Sequence, residues 1–298
     1  MDTPEHSTPL LPELDGVRHR YVSVRGVRLH LAEAGQGEPV LLLHGFPQHW
    51  YGWRRLIPLL STQYRLLCVD QRGFGWSDTP GKGYDTDTRV DDVVGLLDEL
   101  GLTRVRLIGH DWGAWTGFHV CLKAPERISH YLALNMMHPW PKHLRLMPQS
   151  WRFWYTALLE QPLLGSWILR NRPGFTRYLM RKGVVEQAVW TPDAMDEFVR
   201  SSQEPGRARA GEALHRAFAL RDIARLVLGR YKKLRLTTPT VILAGERDFM
   251  LPPSVITDAG RHADDLRVEV IPGCGHYLHE ERPELVAKAA EALFSSRP

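Results

Sequence analysis

Over the first part of the chain, apolar and polar side chains alternate. Arg20-Tyr21-Val22-Ser23-Val24 and Val27-Arg28-Leu29-His30-Leu31 flank Arg25-Gly26, the pattern of a hairpin of half-buried strands. Beyond it the pattern changes to short unbroken apolar runs between turn residues, at 40–43, 66–69, 105–108, 131–134, 241–244 and 268–271. Such runs suit strands buried on both faces, as in a parallel sheet. Between them, apolar residues recur at helical spacing over 88–100 (Val90, Val93, Val94, Leu96, Leu97, Leu100) and 283–294. Alternating strands and helices predict an α/β core around a mostly parallel sheet of about eight strands.

The alternation stops near Met137 and resumes near Pro239. The residues between carry Trp, Arg and helix formers, with helices expected over 151–169, 175–180 and 210–228. They read as a helical cap, 139–236, inserted after the sixth strand of a core formed by 1–138 and 237–298. Charge changes at the same boundary: 139–236 holds 18 Lys/Arg against 8 Asp/Glu, the remainder 20 against 26. The arginines are dispersed and form no nucleic-acid reader motif, so the charge step marks a domain boundary and no nucleic-acid partner is expected.

With 298 residues, 43% hydrophobic and 24% charged, the composition is that of a soluble globular protein. The polar start of the chain and the lack of any long apolar run predict neither signal peptide nor membrane span. Three scattered cysteines, Cys68, Cys121 and Cys274, give neither a disulfide framework nor a zinc spacing, so a cytoplasmic location and no metal are expected.

The chemistry sits at strand ends. Run 105–108 leads into Gly109-His110-Asp111-Trp112-Gly113 and then a helical segment, 114–123. This is the setting of a nucleophile elbow, whose small flanking residues allow a strained turn that presents the central side chain; the bland alternative is Asp111 as a helix cap. Two partners follow in the order such sites use. Asp248 lies in Gly245-Glu246-Arg247-Asp248 after one strand, and His276 in Gly273-Cys274-Gly275-His276 after the next. Glu246 is the rival acid, closer to its strand, and the other position for an acid holds Asn135, which carries no charge. His44-Gly45-Phe46-Pro47 follows run 40–43. Its loop is expected to supply the Phe46 amide to an oxyanion hole completed by the Trp112 amide. His44 is read as structural, and Phe46-Pro47 as a candidate cis peptide.

Together with Asp70-Gln71-Arg72-Gly73-Phe74-Gly75-Trp76-Ser77, these motifs closely resemble the epoxide hydrolases of the α/β-hydrolase superfamily over nearly the whole chain. The resemblance implies an α/β-hydrolase fold with a helical cap, an Asp111 nucleophile, the acid–base pair Asp248 and His276, and no cofactor. Two cap tyrosines assist ring opening in that family. Tyr155 matches the first; at the second, this chain has His215, with Phe218 the other aligned choice and Tyr231 too near the returning strand. The expected partners are a small apolar epoxide and water, with a homodimer left open. Trp112, Trp151, Trp154 and Phe218 are expected to line the pocket, with Trp140, Phe153, Leu158 and Trp167 as further candidates. Two other readings remain: a haloalkane dehalogenase with the same nucleophile, in which Trp112 would hold halide, and a non-catalytic binding protein on the same fold.

Overall fold

The computed structural model describes residues 11–141, 147–256 and 260–296. Eight strands form one sheet: β1 (Val17–Val24), β2 (Val27–Ala34), β3 (Glu38–Leu43), β4 (Tyr64–Val69), β5 (Val105–His110), β6 (Ile128–Leu134), β7 (Thr240–Gly245) and β8 (Leu266–Ile271). Their order is β1-β2-β4-β3-β5-β6-β7-β8. The β1–β2 hairpin and the β2–β4 pair are antiparallel, and every later pair is parallel.

Helices in chain order are α1 (Ile57–Leu60), α2 (Thr86–Glu99), α3 (Trp112–Lys123), α4 (Trp154–Leu159), α5 (Leu164–Asn171), α6 (Pro173–Lys182), α7 (Pro192–Gln203), α8 (Pro205–Ala217), α9 (Ile223–Val227), α10 (Leu278–Glu281) and α11 (Pro283–Phe294). The unbroken apolar strands are explained by helices on both faces of the sheet. Leu41 and Leu43 point to one layer with Val90, Val93, Trp115 and Phe118 of α2 and α3. Val40 and Leu42 point to the other, with Trp53, Leu56, Leu278 and Val286. Each such leucine is fully buried, a burial that stabilises the fold by about 1.5–3 kcal/mol per side chain. Asp85 starts α2 by accepting from Thr88 N at 3.1 Å.

From β3 the chain crosses to β4 on one side and then returns to β5 on the other. Where the winding reverses, the two following loops part and leave a crevice beyond the carboxyl ends of the strands. The loop after β3 and the turn after β5 open into this crevice.

Between β6 and β7 the described residues form helices and no named strand. Two of the expected helices are interrupted. The 151–169 stretch is a 3₁₀ segment (Met147–Phe153), α4 and α5, separated around Pro162 where Leu163 takes φ 66°. The 210–228 stretch is the end of α8, a π-helical turn (Phe218–Asp222) and α9. Helix α7 was not anticipated, although Thr191 caps it by accepting from Ala194 N at 3.3 Å, just ahead of Pro192. The residues 142–146 of this stretch lie outside the described chain.

Candidate active site

Asp111 lies between β5 and α3 with φ 49° and ψ −121°, a backbone state costly for a residue with a Cβ. Neighbouring glycines make the turn sterically feasible: a Cβ on Gly113 would come within 2.1 Å of the Leu43 carbonyl oxygen. The Asp111 side chain makes no capping bond to α3, which removes the helix-cap reading. Its Oδ2 instead accepts from Phe46 N at 3.0 Å, and the Trp112 amide also turns to the carboxylate. Both expected amides thus turn to the Asp111 carboxylate, that of Phe46 to Oδ2. Burial raises the Asp111 pKa above the usual carboxylate value, while His276 and the two amides oppose that rise.

The loop after β7 brings Asp248 to the loop after β8. His276 Nδ1–H donates to Asp248 Oδ2 at 2.8 Å, and His276 Nε2 lies 3.8 Å from Asp111 Oδ1, outside hydrogen-bond reach. Asp248 is buried; its Oδ1 accepts from Met250 N at 2.7 Å and Leu251 N at 2.9 Å. Burial works against a charged His276, but the charge and hydrogen bond of Asp248, aided by the charge of Asp111, outweigh it and raise the pKa. Glu246 is exposed and accepts from Gly273 N at 3.0 Å; it does not contact His276. Asn135 Nδ2 donates to Asp248 Oδ2 at 3.0 Å and to the Gly275 carbonyl at 3.1 Å, so it steadies the acid whose place it does not take.

His44 is fully engaged in holding loops together: Nδ1–H donates to the Gly45 carbonyl at 3.0 Å and Nε2 accepts from Gln71 N at 3.0 Å. The Phe46–Pro47 peptide is cis.

Above Asp111 lies a cavity of about 360 Å³ that reaches Asp111, His276, Tyr155, His215, Trp112 and Phe218. Burial, followed by the charges of Asp111 and Asp248, raises the Tyr155 pKa, so the phenol keeps its proton. His215 Nδ1 lies 2.7 Å from the Gly211 carbonyl, and its ring stands edge-to-face between Phe46 (4.9 Å) and Trp112 (5.3 Å).

The pocket expectation is corrected at Trp151 and Trp154. They are 59% and 41% exposed and do not line the cavity, because on their helical turns Phe153 and Tyr155 take the inward positions. Of the further candidates Phe153 lines it, whereas Trp140, Leu158 and Trp167 do not. Met136, Met137, Leu179, Met250, Leu251 and Tyr277 add to the apolar wall; sequence reading missed them because single residues in the loops after strands carry no periodic signal, and helical spacing at Leu179 shows burial without showing against what. Tyr231 is buried elsewhere, 3.4 Å from Asp222 Oδ1. Another unforeseen residue is buried Arg89 of α2, which donates to the Trp112 carbonyl at 3.2 Å and Thr116 Oγ1 at 2.8 Å. Among the described residues, no helix is long and apolar enough to cross a membrane.

A sheet of this order, with an elbow after β5 and an acid and histidine after β7 and β8, defines an α/β-hydrolase. The chain belongs to the alpha/beta hydrolase fold family, whose profile matches residues 38–283. Among its relatives, the soluble epoxide hydrolase of Corynebacterium sp. (strain C12) is 29% identical over 293 residues, 94% of this chain and 98% of that one. The AB hydrolase superfamily protein YfhM of Bacillus subtilis (strain 168) is 29% identical over 284 residues, 92% and 96% of the two chains. The crystal structure of Cfl2 from Burkholderia cenocepacia superposes with a TM-score of 0.83 at 30% identity, covering 95% of this chain and 97% of that one.

Proposed function

We propose that the protein is an epoxide hydrolase that converts an apolar epoxide to a vicinal diol through an ester on Asp111, with residues 139–236 acting as the cap over the site. The observation that carries this reading is the Asp111 carboxylate, strained into the elbow with Oδ2 against the Phe46 amide and the apolar cavity above it. With Oδ2 held there, Oδ1 is free to attack an oxirane carbon. The C–O bond that breaks leaves an alkoxide, which takes the Tyr155 proton. The products of this step are an alkyl ester on Oδ1 and a new hydroxyl.

Esterification also prepares the next step. It removes the Asp111 charge, one of those that hold a proton on His276, so the imidazole becomes freer to act as a base. His276, oriented by Asp248, then deprotonates a water that attacks the ester carbonyl carbon. Negative charge collects on Oδ2, where the Phe46 and Trp112 amides receive it. Collapse breaks the bond from the carbonyl carbon to Oδ1, the leaving alkoxide takes the proton held by His276 to complete the diol, and Asp111 returns with one oxygen from water, whose remaining proton restores Tyr155. The three cysteines, free and buried, suit a reducing cytoplasm.

Single-turnover incubation with aryl and alkyl epoxides in heavy-oxygen water, followed by mass spectrometry of the Asp111 peptide, tests the proposal. Labelled Asp111 together with diol is expected, and His276→Gln should accumulate the ester. Halide release from haloalkanes without diol from any epoxide would establish the dehalogenase reading instead. Absence of both turnover and ester in H276Q would establish the binding reading.

A further inference from the structure

His215 stands where a second ring-opening donor is expected, yet its hydrogen bonding gives it the opposite polarity. We propose that His215 Nε2 accepts a hydrogen bond from the substrate, and that the epoxide suited to this cavity carries its own donor, a hydroxyl near the oxirane ring. This rests on the epoxide reading above and narrows it to epoxy alcohols.

The argument begins with the Gly211 carbonyl one helical turn before His215 in α8. A carbonyl oxygen only accepts, so the 2.7 Å contact requires a proton on Nδ1. A neutral imidazole has one N–H, and the other nitrogen is then a bare lone pair. The ring is neutral at ordinary pH. It is 2% exposed and packed between Phe46 and Trp112. Burial lowers its pKa to about 4 against the raising effect of the Gly211 bond, with Arg89 lowering it further. Moving the proton to Nε2 would place a second lone pair against the Gly211 oxygen, two acceptors facing each other. Tyr155 is therefore left as the ring-opening donor.

Nε2 has no hydrogen-bond partner among the described residues, and the residue borders the cavity. Around it, Phe46, Trp112 and Phe218 offer ring carbon. A purely hydrocarbon epoxide would bury this lone pair unpaired when it fills the cavity, whereas a hydroxyl would satisfy it. Sites with a buried polar group discriminate against ligands lacking its partner.

The test pairs 3-phenylglycidol with its O-methyl ether, which lacks the donor. In the wild-type protein kcat/KM should favour the alcohol by about tenfold or more. In His215→Phe the ratio should fall to about one, whereas Tyr155→Phe should slow both substrates and preserve the ratio. A second measurement needs neither a variant nor turnover: ¹⁵N NMR of the histidine-labelled full chain at pH 7. His215 Nε2 should resonate as an unprotonated nitrogen and move on addition of 3-phenylpropan-1-ol but not of its methyl ether. An Nε2 that carries the proton, or a wild-type ratio near one with epoxides turned over, overturns the inference. If no epoxide reacts and no Asp111 ester forms, the functional reading fails, and the NMR response alone decides the polarity of His215.

Discussion

A Cβ added at Gly45 would lie 2.5 Å from Asp111 Cβ, 2.8 Å from Asp111 Oδ2 and 2.8 Å from His110 Nδ1. All three neighbours are buried or bound to the elbow, so none can yield without moving the Asp111 carboxylate. In Gly45→Ala the carboxylate must leave the Phe46 amide, and displacements of this kind cost about a hundredfold in rate. Single-turnover ester formation, measured beside a circular dichroism spectrum that stays native, checks this. At His276 the sign of the pH effect follows from its raised pKa. Only the neutral imidazole accepts a proton from water, so ester hydrolysis is lost as pH falls through the His276 pKa, which the charge and hydrogen bond of Asp248 raise and which loses the raising charge of Asp111 on esterification. In Asp248→Asn burial loses its strongest opposition, the charge and hydrogen bond of Asp248. The acid limb should therefore move to lower pH while the plateau falls by about 10²–10⁴, as read by pH-dependent decay of the trapped ester.

Between elements, Glu281 at the end of α10 acts as a clamp. Its Oε1 accepts from Gly275 N at 2.6 Å, and its Oε2 from Val185 N at 2.7 Å and Glu186 N at 2.9 Å. The Gly183 carbonyl accepts from His276 N at 2.5 Å, so the turn after α6 and the His276 loop are fastened at two points. Glu281→Gln turns an amide N–H₂ toward backbone N–H donors and should cost about 1–3 kcal/mol. Hydrogen exchange should quicken at 183–186 and 275–276, with ester hydrolysis slowed more than ester formation. Unaltered exchange would rule out the clamp. None of this was legible in the sequence, because Glu281 and the amides of Val185 and Glu186 lie about a hundred residues apart along the chain. The core strands were legible because burial on both faces leaves an unbroken apolar run, and the elbow because Gly109 and Gly113 bracket Asp111 directly after β5. The helices between β6 and β7 were less so: Leu163 and the π-turn at 218–222 depend on packing, and aromatic residue type alone does not tell which side of a helical turn faces inward, as at Trp151 and Trp154. Asn135 could be read only as a missing acid, since its contact with Asp248 joins loops far apart in sequence.

At the scale of the whole molecule, the protein buries several histidines in neutral form. Burial lowers the pKa of His49 and of His119 to about 3, and those of His44, His110 and His279 also fall, again chiefly through burial. Unfolded, each would titrate near 6.5. Between that value and its folded pKa, the unfolded chain binds a proton that the folded chain refuses, so stability is complete above pH 6.5 and declines as pH drops. Each such histidine contributes about 1.4 kcal/mol of loss per pH unit. His276 acts in a different window: its raised pKa gives stability that is full below 6.5 and is lost as pH rises through the folded value, so it does not offset the acid decline. Asp70, buried against His30 at 2.7 Å, has its pKa lowered: burial opposes this, but the charge and hydrogen bond of His30 prevail. Its contribution is lost only at more acidic pH than that of the histidines. Urea midpoints should therefore drop steeply from pH 6.5 to 5, and above 6.5 fall by no more than the one-proton slope of His276. His119 packs on Trp115 at 4.7 Å and Tyr231 at 4.9 Å, so His119→Phe keeps an aromatic ring there and removes one titrating group. Its stability should fall less steeply, by the slope of about one proton; a slope identical to wild type would show that His119 is not held neutral by the fold.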